Sequence, residues 1–285
     1  MNKSRAIWLA ASAATGVLAG LAAPSGAAIR ELENGNSVIR FDTDYDPDAG
    51  HANGMFDWVV DGVDHMHQQW FWFRTGEMDH EAPVDTLSLV KDIVTDTDGD
   101  QLADFLFLRY AGEGFAIDFR FSLQGGLPGS GVSDIGEQIL VRNTGRNPLS
   151  LSFFQYNDAD LNGTVTDTRV RIGEFVGGLG ASQMGDGVVV HETVVTPAAD
   201  HYEAGVFSTT RDSLNDDSIT TLNDNDEVLG PADLTWAFQW DFVLSPGDSE
   251  NISKDKRLAV VPAPGAMLLG LLGMGFTGLM RRRMA

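Results

Sequence analysis

Thr235-Trp236-Ala237-Phe238-Gln239-Trp240-Asp241-Phe242-Val243-Leu244 is the stretch that decides the fold. Large apolar side chains occupy every second position from Trp236 to Leu244, while Gln239 and Asp241 point to the other face. A period of two is typical of an antiparallel strand with one buried face. We therefore expect Trp236 and Trp240 to lie in a core.

Outward from this strand, the chain continues as short β-rich segments. Turn signals such as Gly125-Gly126 recur about every ten residues, and no long segment has a helical period. Ile139–Arg142 and Leu149–Tyr156 flank a turn-rich segment, which indicates a hairpin, and the apolar run Phe105–Leu108 indicates a strand covered on both faces. Residues 29–258 are predicted to form one all-β domain, an antiparallel β-sandwich or jelly roll. The polar stretch from Thr209 to Glu227 is predicted to be a long loop.

The N-terminus has the pattern of an export signal. Lys3 and Arg5 precede the apolar run Ala6–Ala23, and Pro24–Ala28 supplies small residues for cleavage. This arrangement is typical of a signal peptide covering residues 1–28, removed by signal peptidase. The alternative is an uncleaved N-terminal anchor.

The C-terminus carries a second targeting pattern. Val261-Pro262-Ala263-Pro264 is followed by an apolar run to Met280 and then by Arg281, Arg282 and Arg283. This ending, residues 261–285, resembles the PEP-CTERM sorting signal of Gram-negative bacteria, although Ala263 stands where that motif has glutamate. The resemblance implies an apolar membrane helix, transient anchoring in the inner membrane, processing by an exosortase, and delivery to the cell surface or an exopolysaccharide matrix. The alternative is an unprocessed C-terminal membrane anchor.

Composition limits the partners of the domain. The 285-residue chain has a formal charge of −22 and no cysteine, so thiol catalysis and cysteine metal sites are excluded. The two terminal signals contain five of the 19 basic residues and no acidic residue. The domain between them therefore has 14 basic and 41 acidic residues, a formal charge of −27. Such a surface repels nucleic acid and favours divalent cations where carboxylates cluster.

The segment from Asp96 to Asp104 is the clearest candidate metal site. Asp96, Asp98, Asp100 and Asp104 stand at positions 1, 3, 5 and 9 around a glycine, and the carbonyl of Leu102 occupies position 7. Calcium takes six to eight oxygen ligands, which alternating carboxylates in a tight loop can supply. The spacing resembles the calcium loops of integrin-type extracellular β domains and predicts a bound calcium ion; the alternative is a solvated acidic turn.

Other candidates carry weaker signals. Asp42, Asp44 and Asp46 alternate in one segment, and Asp158 and Asp160 in another, and each set is a secondary calcium candidate or an exposed acidic loop. His65 and His67 are interpreted as ordinary surface or packed histidines, because a third metal ligand is not evident.

The aromatic segment around Trp58, Trp70 and Trp72 allows two interpretations. Flat indole faces suit the stacking of pyranose rings, so these residues form a possible glycan platform. Core packing is the other interpretation, and the one that alternation favours for Trp236 and Trp240.

Three classes of function fit these observations. The first is a non-enzymatic structural or adhesive protein of the surface or exopolysaccharide matrix, stabilised by calcium. The second is a carbohydrate-binding module, which an open aromatic groove would favour. The third is a polysaccharide-acting enzyme, which two carboxylates facing each other about 5–10 Å apart in a cleft would favour.

Overall fold

The computed structural model describes residues 29–44 and 50–261. The strands of the first half are β1 (Ile29–Asn34), β2 (Ser37–Asp42), β3 (Gly54–Val60), β4 (Val63–Asp64), β5 (Gln68–Thr75), β6 (Ala82–Pro83), β7 (Ser88–Thr95), β8 (Phe105–Gly112) and β9 (Phe115–Gly125). Those of the second half are β10 (Val132–Asn143), β11 (Leu149–Asp158), β12 (Asp167–Phe175), β13 (Gly178–Gly185), β14 (Val188–Thr196), β15 (His201–Val206), β16 (Glu227–Ala232), β17 (Leu234–Leu244) and β18 (Ser249–Val260). In these residues the α-helical segment is α1 (Thr209–Leu214).

The strands form two antiparallel sheets. The first has the order β1-β2-β3-β5-β11-β17-β15, with β4 and β6 attached to β3 and β5. The second has the order β16-β12-β13-β14-β18-β10-β9-β8-β7. The predicted all-β antiparallel sandwich is therefore confirmed.

Strand β17 is central in the first sheet, where it pairs with β11 and β15. Trp236, Phe238 and Trp240 are fully buried, as the alternation predicts. Gln239 is buried as well, because the segment that follows α1 covers the outer face, where the backbone N–H of Leu222 donates to Gln239 Oε1 at 3.0 Å. The predicted loop from Thr209 to Glu227 is thus a short helix followed by an irregular segment. This segment covers part of the outer face of the first sheet, where it contacts β17 and β5.

Two local predictions are wrong. The segment between β10 and β11 is not a hairpin loop, because β10 pairs with β9 and β18 while β11 pairs with β5 and β17. It carries the chain from one sheet to the other. The run Phe105–Leu108 is buried on one face, and Phe107 on the other face lies under the guanidinium of Arg120 at 5.3 Å.

A layer of charged side chains crosses the sandwich interior. Lys254 and Lys256 of β18 and Glu137 and Glu192 of its neighbours are all at most 3% exposed. Lys254 Nζ donates to Glu137 Oε2 at 2.7 Å and to Glu192 Oε1 at 3.2 Å. Lys256 Nζ reaches Glu192 Oε2 at 3.2 Å. The network balances two positive against two negative charges, and the opposite sheet completes it through the amides of Gln69, Gln155 and Asn157.

Candidate functional site

Three aspartates meet at one end of the first sheet. Strand β11 ends at Asp158, and antiparallel pairing sets that residue opposite Thr235 near the start of β17. Asp160 follows β11 and Asp233 directly precedes β17, so the ladder brings both beside Asp158. Carboxylate oxygens of Asp158, Asp160 and Asp233 lie within 4.8 Å of one another. We call this group the carboxylate pit.

The pit has a buried floor and an accessible rim. Asp158 and Thr235 are 0% exposed, while Asp160 and Asp233 are half-buried. Tyr156 Oη donates to Asp158 Oδ2 at 3.3 Å. Asp158 Oδ1, Asp233 Oδ1 and Thr235 Oγ1 make no well-aligned hydrogen bond in the described part of the chain. Buried polar atoms are nearly always satisfied, so these three oxygens indicate a ligand position.

Electrostatics at the pit are governed by burial and mutual repulsion. Burial, together with the negative charges of Asp233 and Asp160, raises the pKa of Asp158 to about 8. Burial also raises the pKa values of Asp160 and Asp233, an effect that the charge of His67 opposes. Ionising all three groups is costly unless a proton or another cation accompanies them.

Two basic side chains and one aromatic side chain, those of His67, Arg211 and Phe207, lie close to Asp160 and Asp233. The backbone N–H of His67 donates to Asp158 O at 3.1 Å, and that of Phe207 donates to Asp233 O at 3.0 Å. The His67 ring meets Phe207 edge-on at 5.8 Å, and the Arg211 guanidinium lies 4.5 Å from the Phe207 ring centre. The pit therefore combines carboxyl groups, an imidazole, a guanidinium and a half-buried aromatic ring.

His65, two residues from the rim, is a buried neutral histidine. Its Nδ1 accepts the backbone N–H of Asn162 at 2.9 Å, and burial lowers the pKa of His65 to about 4. It is packed, as the sequence indicated, whereas His67 lies at the pit.

This environment predicts a loss of stability in acid. Below a pH of about 6.5 the unfolded chain protonates His65 while the folded chain does not, so stability falls as the pH drops through 6.5 towards 4. The loss attributable to this group should be on the order of 2 kcal/mol after allowance for solvent screening. His65→Asn retains an acceptor for Asn162 and removes the titration, so urea unfolding at pH 7 and pH 4.5 should show a smaller loss. An equal loss in both proteins would contradict this.

The Asp96 loop satisfies most of its own oxygens. Asp96 Oδ1 and Oδ2 accept the backbone N–H groups of Gly99 and Gln101 at 2.6 and 2.8 Å. Asp96, Asp98 and Asp100 are exposed and close enough to share an ion. Asp104 is not in that group, because its two oxygens bind Thr97 through the backbone N–H and the hydroxyl. Leu102 lies at the exposed surface, and calcium binding by this loop stays a prediction.

The Asp42 segment does not assemble a site in the described residues. Asp42 is buried, and its Oδ2 lies 3.7 Å from His51 Nδ1. Its Oδ1 accepts a hydrogen bond from the backbone N–H of Asp44 at 3.2 Å. Within residues 29–44 and 50–261, neither Asp42 nor Asp44 belongs to a group of three acidic residues close enough to share one ion. Asp46 lies outside the described residues.

The three tryptophans considered as a glycan platform are core residues. Trp58, Trp70 and Trp72 are at most 1% exposed, which corrects the platform interpretation because stacking requires an open ring face. Their indole N–H groups are used internally, donating to Ser133, Asp85 and Asn215 respectively.

The predicted targeting signals fall almost wholly outside the described residues. Val261 is the last described position, and Pro262, Pro264 and Arg281 to Arg283 lie beyond it, as does the predicted signal peptide. Within 29–44 and 50–261, no helix combines the length and apolar character that a bilayer crossing requires. Export, exosortase processing and surface location stay predictions.

A concave region lies near the opposite end of strand β11. Its volume is about 610 Å³, and Ser150 at the start of β11 lines it, whereas the pit lies where β11 ends. Aromatic side chains of Phe73 and Phe115 form part of the wall. Glu77, Glu113 and Arg146 contribute charged groups around it.

Sequence reasoning found part of the pit and missed the rest. Asp158 and Asp160 were secondary calcium candidates, and the structure adds Asp233, His67 and Arg211. The available signal was positional: Asp158 ends one strongly apolar strand and Asp233 precedes another. Joining them requires knowing that the two strands are antiparallel neighbours.

Comparison by sequence finds no matching protein family and no matching curated protein. Comparison by structure finds a bacterial glucoamylase complexed with acarbose, with a TM-score of 0.52 at 7% identity over 91% of this chain. This chain spans only 36% of that protein's length. A putative aldose 1-epimerase from Escherichia coli K12 has a TM-score of 0.48 at 10% identity, covering 82% of this chain and 99% of that one. A galactose mutarotase-like protein from Lactobacillus casei has a TM-score of 0.45 at 9% identity, covering 81% of this chain and 100% of that one.

These findings correct the sequence-based expectation of a non-enzymatic structural or adhesive protein. The bacterial glucoamylase, with which this chain shares its architecture in part, is a carbohydrate-active protein. At this level of identity the likeness establishes architecture alone. The chain has a β-sandwich whose architecture resembles part of that glucoamylase.

Proposed function

We propose that this protein binds and processes a carbohydrate at the carboxylate pit. The observation that carries the proposal is the convergence of Asp158, Asp160 and Asp233 at a partly open strand end, with oxygens within 4.8 Å of one another. Enzymes that act on glycosidic bonds use a pair of carboxyl groups as acid, base or nucleophile, and the pit supplies three carboxyl groups. The likeness of the fold to a glucoamylase supports the same class of substrate.

The rim residues supply the groups that a sugar requires. Half-buried Asp160 and Asp233 can accept hydrogen bonds from sugar hydroxyls, and the Phe207 ring offers a flat apolar surface beside them. His67, tied to the end of β11 through its backbone N–H, is placed to exchange a proton with a sugar held at the rim. The rigid ladder of β11 and β17 fixes these groups relative to one another.

Incubation of the full chain with neutral, amino and acidic oligosaccharides tests this proposal. Proton NMR of the anomeric signals should reveal turnover or anomer exchange for at least one class. Asp233→Asn and His67→Ala should each lower kcat/KM by about 10²-fold or more, since general acid–base and positioning groups contribute on that scale. Glu250→Gln, an exposed carboxylate at the start of β18, should leave turnover unchanged.

Two results would overturn the proposal. One is the absence of binding and turnover with every oligosaccharide class. The other is unchanged activity in both pit variants. If Arg146→Ala alone abolished activity, the reacting site would lie in the concave region near the opposite end of strand β11.

A further inference from the structure

The carboxylate pit contains more oxygen ligands than the protein itself uses. Asp158 Oδ1 and Thr235 Oγ1 belong to side chains that are 0% exposed, and neither makes a well-aligned hydrogen bond in the described residues, although Thr235 lies beside Tyr156 and Asp158 beside Asp233. The two residues are direct neighbours across the β11–β17 ladder, so both side chains leave the same face of the sheet. Burying an oxygen without a hydrogen-bond partner is unfavourable, so two adjacent ones indicate a missing electropositive partner.

The surrounding acids converge on the same place. Asp160 and Asp233 each offer an oxygen within 4.8 Å of that of Asp158, and Asp233 Oδ1 also makes no well-aligned hydrogen bond. Arg211 and His67 influence these carboxyl groups through their charge, but neither makes a hydrogen bond or ion pair with them in the described residues. Three carboxyl oxygens therefore lie close together, and the Thr235 hydroxyl leaves the same face of the sheet beside Asp158.

The Asp96 loop provides an internal contrast. It has the same number of carboxylates at the same spacing, but they are exposed and accept backbone N–H groups of their own loop. Among the residues that the structure describes, no carboxylate oxygen of this loop is both buried and without a hydrogen-bond partner. The two groups therefore differ in burial and in hydrogen bonding, and calcium binding by the loop stays a prediction.

We propose that Asp158, Asp160 and Asp233, with the hydroxyl of Thr235, bind one calcium ion. Calcium accepts six to eight oxygens in irregular geometry, so three carboxylates and a hydroxyl leave coordination positions for water at the open rim. Magnesium requires a small, regular octahedron of ligands and fits less well around groups that come from two strand ends and a following turn. One further step rests on the proposed function. In that step, neighbouring hydroxyls of the sugar replace those waters, so that calcium helps to hold the substrate.

Calcium titration of the full chain, stripped with EDTA, tests the site directly. Calorimetry should detect binding that Asp233→Asn weakens at least tenfold, and the melting temperature of the wild type should rise with calcium. Terbium added in place of calcium should luminesce on excitation of tyrosine, because Tyr156 Oη lies 3.3 Å from Asp158 Oδ2. Asp98→Asn should leave that luminescence unchanged. Asp233 is half-buried, so its variant should fold, and Asp158→Asn provides a second test.

The outcomes separate the ion from the carbohydrate. Equal calcium affinity in wild type and Asp233→Asn, loss of binding only in Asp98→Asn, or equal affinity for magnesium would each overturn the calcium assignment. If calcium binds at the pit but no oligosaccharide binds to the protein, the calcium assignment holds and the proposed function is wrong. Sugar turnover that persists unchanged in EDTA, with no calcium binding, would indicate the reverse.

Discussion

Lys254→Met is expected to destabilise the domain by about 3–5 kcal/mol, because it removes one partner of a buried ion network and leaves the other charges unpaired. Lys254 Nζ bonds Glu137 and Glu192 at 2.7 and 3.2 Å, and all three side chains are almost completely buried. After the substitution two carboxylates would share the single positive charge of Lys256. Urea unfolding of the wild type and the variant measures the difference.

The same strand offers a control. Arg257 pairs with Asp134 at 3.0 Å, but its side chain is 55% exposed, so Arg257→Met should cost less than about 1 kcal/mol. Combining Lys254→Met with Glu137→Gln removes one charge of each sign and should cost less than the sum of the two single changes. Strict additivity, or a loss for Lys254→Met no larger than that for Arg257→Met, would contradict a coupled buried network.

Trp240→Ala should destabilise the domain by a similar amount, about 3–5 kcal/mol. The indole is fully buried, packs 6.1 Å from the ring of Phe153, and donates from Nε1 to Pro197 O at 3.1 Å. Truncation leaves a large cavity between two ordered sheets and an unpaired carbonyl. Equilibrium unfolding in urea gives the free-energy change, provided that the slope against denaturant stays constant.

Val243→Ala is the matched control for that substitution. Val243 lies on the same strand but is 80% exposed, so the change should cost less than about 1 kcal/mol. A small loss for Trp240→Ala, close to that of the control, would mean that the central strand does not face the core. The sandwich would then be assembled differently from the structure described above.

Alternation along single strands could be recognised from the sequence alone. The apolar face from Trp236 to Leu244 establishes a half-buried strand because side chains of a strand alternate between faces. The same alternation is present in β18, where Ile252, Lys254, Lys256 and Leu258 share one face. Two lysines of that strand therefore lie in the core. Charged residues at apolar positions were not interpreted as buried because single lysines are rarely buried unless they are paired.

Contacts between distant segments could not be recognised in this way. The turn-rich segment after Asn143 has the composition of a hairpin, yet the partners of β10 and β11 lie in different sheets. Similarly, Trp72 belongs to an aromatic strand that could be exposed or covered, and only the segment following α1, which supplies Asn215, decides that it is covered. Local pattern specifies that a residue lies on one face and leaves open what packs against that face.

The sequence by itself determined the strand-rich class, the buried tryptophans of β17 and the acidity of the domain, because these follow from residue type and period. The tertiary structure alone decided which distant acids come together. Asp98 and Asp100 are two residues apart and lie in one exposed turn, whereas Asp160 and Asp233 are far apart in sequence and meet beside the buried Asp158. The physical reason is that antiparallel pairing of β11 with β17 joins the end of one strand to the beginning of the other, and burial then removes the water that keeps isolated carboxylates independent.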